Sequence, residues 1–234
     1  MQLFYTPDIN ETLTSFSFDK EESKHIVKVL RKTEGDILKV TNGLGFLFTT
    51  EIILASDKKC TVKITESVFH KPNDFYIHIV VAPTKMNDRY EWFLEKATEI
   101  GVNEITPIIC DHSERKTIKT ERFDKIIQSA MKQSLQLHLP KLNETVTFKQ
   151  FLAQKHEGNL CIAHCEESRK VLLKNTVKAG EKYTILIGPE GDFSEKEIET
   201  ALANNYTPVS LGNTRLRTET AAVVACHSVV FSNE

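Results

Sequence analysis

The sequence predicts an α/β protein in two parts: a small β-barrel over residues 1–72 and a parallel-sheet α/β domain over residues 73–234. Three observations carry this. Short alternating runs punctuated by turn residues fill the N-terminal part. A proline among polar residues, Lys71-Pro72-Asn73-Asp74, marks a break. Beyond it, continuous apolar runs alternate with helical periodicity, the pattern of strands buried on both faces.

In the first part the strand runs are Met1–Tyr5, Phe16–Phe18, Ile37–Val40, Phe46–Ile53 and Cys60–Ile64, with turn signals at Asn42-Gly43 and Ser56–Lys59. Several short strands at this spacing predict a small barrel. One helix, Lys20 to Lys32, interrupts them, with His25, Ile26, Val29 and Leu30 toward the inside.

The second part opens with an apolar strand, Phe75–Ala82. A helix follows over Asp88–Ile100. Phe93, Leu94, Ala97 and Ile100 form its stripe, Glu91, Glu95 and Glu99 its wet side, and Gly101 its stop. Ile105–Ile109 is the next strand, completing a βαβ unit. Asp111–Lys125 then carries Arg115, Lys116, Lys119, Arg122 and Lys125 interleaved with Glu121 and Asp124, as on a charged surface helix that continues to Leu137. Residues 142–158 hold little signal. Leu160–Glu166 reads as a buried strand ending in polar groups. The last helix, Thr218–Phe231, is apolar almost all round and so must be covered.

The segment Thr184–Ala222 holds two loops, each leaving a short apolar run and opening onto a helix. The first is Gly188–Asp192 and the second Leu211–Arg217. Glycine at a strand exit lets backbone approach a ligand and admits positive φ. In open α/β sheets ligands bind at the carboxyl ends of strands. Ser194 with Glu197 makes a capping box for the helix after the first loop, stapled by Phe193 and Ile198. Neither loop has the G-x-G-x-x-G or G-x-x-x-x-G-K-[ST] spacing, so the usual nucleotide readings fail.

A net charge of −2 lends no support to nucleic-acid binding and leaves room for a local basic patch. The five cysteines are scattered, and Cys161–Cys165 lacks C-x-x-C spacing, so reduced thiols in a cytoplasmic protein are expected. No apolar run is long enough to span a membrane.

Together, IGPEGDFSEKEIE and LGNTRLRTETAA resemble the paired signature of the knotted methyltransferases that modify N3 of a uridine in 16S ribosomal RNA of the small subunit. The likeness runs along the chain. His25 and Arg31 match H-x-x-x-V-L-R-x-x-x-G-D of that family's N-terminal PUA-like barrel, and Lys85, Arg89, Glu91, Lys96 and Gly101 match a further block. Ser113-Glu114-Arg115 is similar to its loop after the second strand. Lys132 and Gln136 depart from the family's E-Q-x-x-R. The resemblance implies a C-terminal trefoil-knotted (SPOUT) domain, S-adenosylmethionine as cofactor, and a homodimer acting on 16S ribosomal RNA or the small ribosomal subunit, without a metal. It implies cofactor binding by Ile187, Gly188, Pro189, Glu190, Gly191, Leu211, Gly212, Asn213, Leu216 and Thr220, and RNA contacts from Arg31, Lys85, Arg89 and Arg115.

Methyl transfer from a sulfonium needs in-line alignment, so positioning dominates. Uridine N3 must lose a proton, and a guanidinium can stabilise the charge that spreads onto the flanking carbonyls. Arg217 is the first candidate and Arg215 the second; Glu219 serves as a base if burial raises its pKa, or else holds Arg217 or the loop. The competing readings are a catalytically silent RNA-binding protein, the same chemistry on transfer RNA, and a hydrolase using Cys165 and His164.

Overall fold

The computed structural model describes residues 2–116, 118, 120–166 and 170–234. Met1 of the first expected strand and Lys119 of the basic stretch lie outside them. Two compact units are present: Met1–Pro72 with Met131–Leu139, and Asn73–Ala130 with Pro140–Glu234.

The first unit holds β1 (Leu3–Tyr5), β2 (Ser15–Ser17), β3 (Ile37–Thr41), β4 (Phe46–Leu54) and β5 (Thr61–Phe69), in the order β1-β3-β4-β5-β2. Among the described residues only the β1–β3 pair is parallel. Alternation works as expected: Leu38, Val40, Phe48, Ile52 and Val62 point into a core with Phe4, Phe18 and Ile26. The helix differs from the expectation. An α-helical α1 (Lys20–Lys24), capped by Asp19, passes into a π-helical turn at His25–Val29. The wider turn rotates Val29 out to 67% exposure while Ile26 stays buried. Arg31 follows at φ +56°, a conformation uncommon for a residue other than glycine.

The second unit is a parallel eight-stranded sheet. It contains β6 (Tyr76–Val81), β7 (Glu104–Ile109), β8 (Lys141–Leu142), β9 (Val146–Thr147), β10 (Asn159–Ala163), β11 (Val171–Leu172), β12 (Lys182–Ile187) and β13 (Thr207–Ser210). The order is β11-β13-β10-β12-β6-β7-β8, with β9 also on β7. Central strands β6 and β12 pair from Tyr76↔Lys182 to Val81↔Ile187 and are buried after their first residue. Their runs Ile79–Val81 and Ile185–Ile187 fit that position because helices cover both faces.

Helix α2 (Asn87–Ile100) buries Tyr90, Phe93, Leu94 and Ala97 and stops at Gly101, whose φ of +110° a side chain would resist. Helices α3 (Thr120–Gln133), α4 (Phe148–Leu152), α5 (Glu195–Ala203) and α6 (Thr218–Phe231) complete the chain. Helix α4 and the two-residue strands β8, β9 and β11 carry too few residues for any periodicity to announce them. Helix α6 buries Ala222, Ala225, Cys226 and Val229 against α2 and β6. Its other face stays open, with Phe231 at 68% exposure. Among the described residues no helix is long and apolar enough to cross a membrane.

Candidate active site

All strands of this sheet run the same way, so their exits share one edge. Five exits meet there: 82–86 after β6, 110–115 after β7, 164–166 after β10, 188–194 after β12 and 211–217 after β13. The first loop is held by its own helix. Ser194 caps α5, and Glu197 closes the box while its Oε1 accepts the Asp111 N–H at 3.0 Å. Ser194 Oγ donates to Asp111 Oδ2 at 2.7 Å. Phe193 and Ile198 are buried together as the staple. Burying a phenylalanine contributes about 2–3 kcal/mol, enough to fix where the loop ends. From the β7 exit, Nδ1 of His112 stands 3.1 Å from the Gly191 carbonyl and 3.2 Å from that of Asp192.

The two loops enclose one recess with two lobes. A lobe of about 320 Å³ is lined by Ile187, Gly188, Pro189, Glu190, Asp192, Arg217 and Thr218. A lobe of about 400 Å³ is lined by His164, Lys170, Ser210, Leu211, Gly212 and Asn213. Ala163, Cys165, Arg215, Leu216 and Ala221 line both. The expected residues Ile187, Gly188, Pro189, Glu190, Leu211, Gly212, Asn213, Leu216 and Arg217 therefore converge. Gly191, Glu219 and Thr220 do not line the recess: Gly191 lies against His112, where a Cβ would come within 3.1 Å, and the other two sit in the first turn of α6.

The glycines serve different ends. Gly212 has φ +147° and open space around its missing Cβ. A Cβ on Gly188 would meet the Phe193 ring at 3.1 Å, so that glycine admits the staple rather than a ligand. The left-handed residue of the first loop is Asp192, at φ +64°.

Charge is arranged in pairs. Glu190 Oε1 accepts the Lys85 N–H at 2.9 Å, tying the β6 exit to the first loop. Lys85 Nζ is 2.7 Å from Glu114. Arg89 Nε is 3.9 Å from Glu219, whose side chain is only 9% exposed. Arg217, the N-cap of α6, is exposed and forms no ion pair among the described residues. Arg115 is half-buried and Arg31, in the first unit, is exposed. His164 is buried, and among the described residues neither ring nitrogen has a hydrogen-bond partner. Burial first, and then Lys170, lowers its pKa and keeps the ring neutral. Among the described residues no group of three His, Cys, Asp or Glu side chains could hold a metal.

In the sequence, Cys165 and His164 stand out for a hydrolase, and the family resemblance sets their strand exit beside the cofactor; Asp192 stands out only as the end of the first loop, and His112 and Lys170 not at all. The strand-exit rule applied to β7 and β10 was the signal for His112 and Lys170, while Asp192 stands on the β12 exit already recognised as a loop.

A parallel α/β sheet with two glycine loops around one recess defines a class, and the comparisons give it a name: the RNA methyltransferase domain family matches residues 71–230, and the RNA methyltransferase PUA domain matches residues 18–65. The chain belongs to the RNA methyltransferases. Within them it is a member of the family of the ribosomal RNA small subunit methyltransferase E. The Rickettsia conorii enzyme of that name is 30% identical, over 88% of this chain and 85% of its own. A probable rRNA-methyltransferase from Porphyromonas gingivalis is 40% identical, with a TM-score of 0.93 covering 100% of this chain and 98% of that one. A Legionella pneumophila protein solved with its bound cofactor SAM is 28% identical, with a TM-score of 0.87 covering 99% and 97%.

Proposed function

We propose that this protein transfers the methyl group of S-adenosylmethionine to N3 of a uridine in 16S ribosomal RNA. The observation that carries the reading is the convergence of the two signature loops on one recess with Arg217 at its rim. Residues 1–72 act as a PUA-like RNA-binding barrel and residues 73–234 as the methyltransferase domain, in the cytoplasm.

The recess suits the cofactor. The buried, neutral His164 ring forms part of the wall of the larger lobe, and the open space at Gly212 leaves backbone accessible. Main-chain groups of Ile187, Gly188, Leu211 and Leu216 would hold it, with Pro189, Glu190 and Asn213 completing the walls. Gly191 and Thr220 would act from behind that wall. When bound, S-adenosylmethionine supplies an electrophilic methyl group. Arg217 would face the uridine and, as a paired donor, stabilise the negative charge on its carbonyl oxygens once N3 has lost its proton. Glu219 adds favourable charge to the first turn of α6 and, through Arg89, steadies the turn that presents Arg217. Lys85, Arg89 and Arg115 in this unit, and Arg31 in the barrel, would contact phosphates, which position RNA without reading its sequence.

The strand order supports a trefoil knot. Strand β13 lies between β11 and β10, while the α6 that follows it packs on α2, β6 and β12, an arrangement in keeping with such a knot. The half-covered apolar face of α6, with Val223, Val224, Val230 and Phe231, supports a homodimer. Mass spectrometry of ribosomal RNA from a deletion strain tests the function: one uridine methyl should disappear from 16S RNA and return on complementation. An unchanged 16S RNA would refute it.

A further inference from the structure

Asp192 stands where the first loop turns left-handed, at φ +64°. Glycine takes that conformation without cost, and aspartate tolerates it better than most residues but not freely. Its N–H closes the turn onto the Pro189 carbonyl at 2.9 Å. The carboxylate then reaches in two directions. Oδ1 accepts the adjacent Phe193 N–H at 2.9 Å, and Oδ2 accepts the N–H of Cys165 at 2.6 Å. The second bond is short, charge-assisted and spans two strand exits.

Among the described residues the β10 exit has a second charged tie. Lys170 Nζ donates to the carbonyls of His164 and Glu166, at 2.9 and 2.7 Å. An anion on the N–H side and a cation on the carbonyl side thus hold the peptides that line both lobes. His112 anchors the first loop to β7, and Asp192 is its tie to β10.

We propose that Asp192 is a positioning residue for the methyl donor: its carboxylate clasps the β10 exit to the first loop and sets the width of the recess between them. The inference rests on reading the recess as the donor site. A ligand held between these walls depends on their separation, so losing the clasp costs affinity even when the fold is intact.

The test uses Asp192→Gly and Asp192→Asn in the full-length protein, with S-adenosylmethionine binding measured by calorimetry alongside thermal unfolding. Asp192→Gly relieves the backbone and removes the clasp. Its dissociation constant should rise about tenfold, the scale of one charge-assisted hydrogen bond, in a protein that still unfolds cooperatively above the assay temperature. Asp192→Asn keeps one acceptor oxygen and should fall between the two. A second readout needs no donor. Cys165 is the exposed cysteine and Cys60, Cys110, Cys161 and Cys226 are buried, so iodoacetamide reports on it. Both variants should alkylate faster at neutral pH, because the Asp192 charge and hydrogen bond add to burial in raising that thiol's pKa. Unchanged affinity with unchanged alkylation overturns the clasp, as does an affinity loss that only tracks a fall in melting temperature. If the wild type fails to bind the donor, the donor-site reading falls, whereas the alkylation comparison still decides whether Asp192 holds Cys165.

Discussion

The Glu219 carboxylate, buried at the start of α6, lies 3.9 Å from Nε of Arg89 on α2. Its partner is thus the cation on the neighbouring helix rather than Arg217. Removing Arg89 leaves a mostly buried carboxylate without its cation, and the partial exposure of Arg89 discounts the cost to about 1–2 kcal/mol. Arg89→Leu should lower the melting temperature, and adding Glu219→Gln should recover most of the loss. Strictly additive effects in this double-mutant cycle would dissolve the pair.

Arg217 is exposed at the rim of the recess, so truncating it disturbs little packing. Arg217→Ala should bind S-adenosylmethionine within about twofold of wild type while turnover on 16S RNA falls about 100-fold or more, the scale of one lost charge-stabilising donor. Calorimetry and single-turnover methylation separate the two quantities. A parallel loss of both would move Arg217 from the reaction to the binding wall.

Gly188 and Gly212 should fail in different ways when changed to alanine. The new Cβ at 188 meets the Phe193 ring at 3.1 Å and its backbone nitrogen at 3.2 Å, so the staple must shift, at about 1–3 kcal/mol of stability. At 212 nothing stands in the way, and only the left-handed backbone objects, at about 1 kcal/mol or more. Chemical denaturation should therefore show the larger loss for Gly188→Ala. Calorimetry should show that Gly212→Ala loses donor affinity while remaining folded. The reverse ranking would contradict the assigned roles.

The opposite edge of the sheet predicts an acid-sensitive stability. His78 is buried on β6 with Nε2 2.7 Å from Thr106 Oγ1, and burial pushes its pKa down to about 4. Next to it, Glu104 is held at about 2: burial opposes ionisation, but the Asn143 hydrogen bond, the charge of His78 when protonated, and bonds from Lys141 and Tyr76 outweigh it. Because His78 is neutral above about pH 4, its charge helps Glu104 only below that pH. For His78 the unfolded chain binds the proton first, from about pH 6.5 downward, so stability is full above that value and falls toward pH 4. Between pH 7 and pH 5 the loss is on the order of 2 kcal/mol. Glu104 contributes above about pH 4.3, and its share is lost only toward pH 2. Urea melts at pH 7 and pH 5 should show the decline in the wild type and a flatter response in His78→Gln. Equal pH slopes would rule His78 out.

Much of this molecule was legible in the chain itself. Apolar runs such as Ile77–Val81 and Tyr183–Ile187 must lie between two covered faces, and the Ser194–Glu197 box sets the start of α5 whatever surrounds it, because both signals act within a few residues. The signature loops, too, could be recognised, through their resemblance to the paired motifs of a known family. What only the tertiary structure decided are relations between residues far apart in sequence. The carboxylate of Asp192 ends on Cys165, Glu219 pairs with Arg89, Glu190 holds Lys85, and the space beside Gly188 belongs to Phe193. Local periodicity can say which face a side chain leaves from. Which distant group it meets depends on strand order, and in this sheet that order places β13 between β11 and β10.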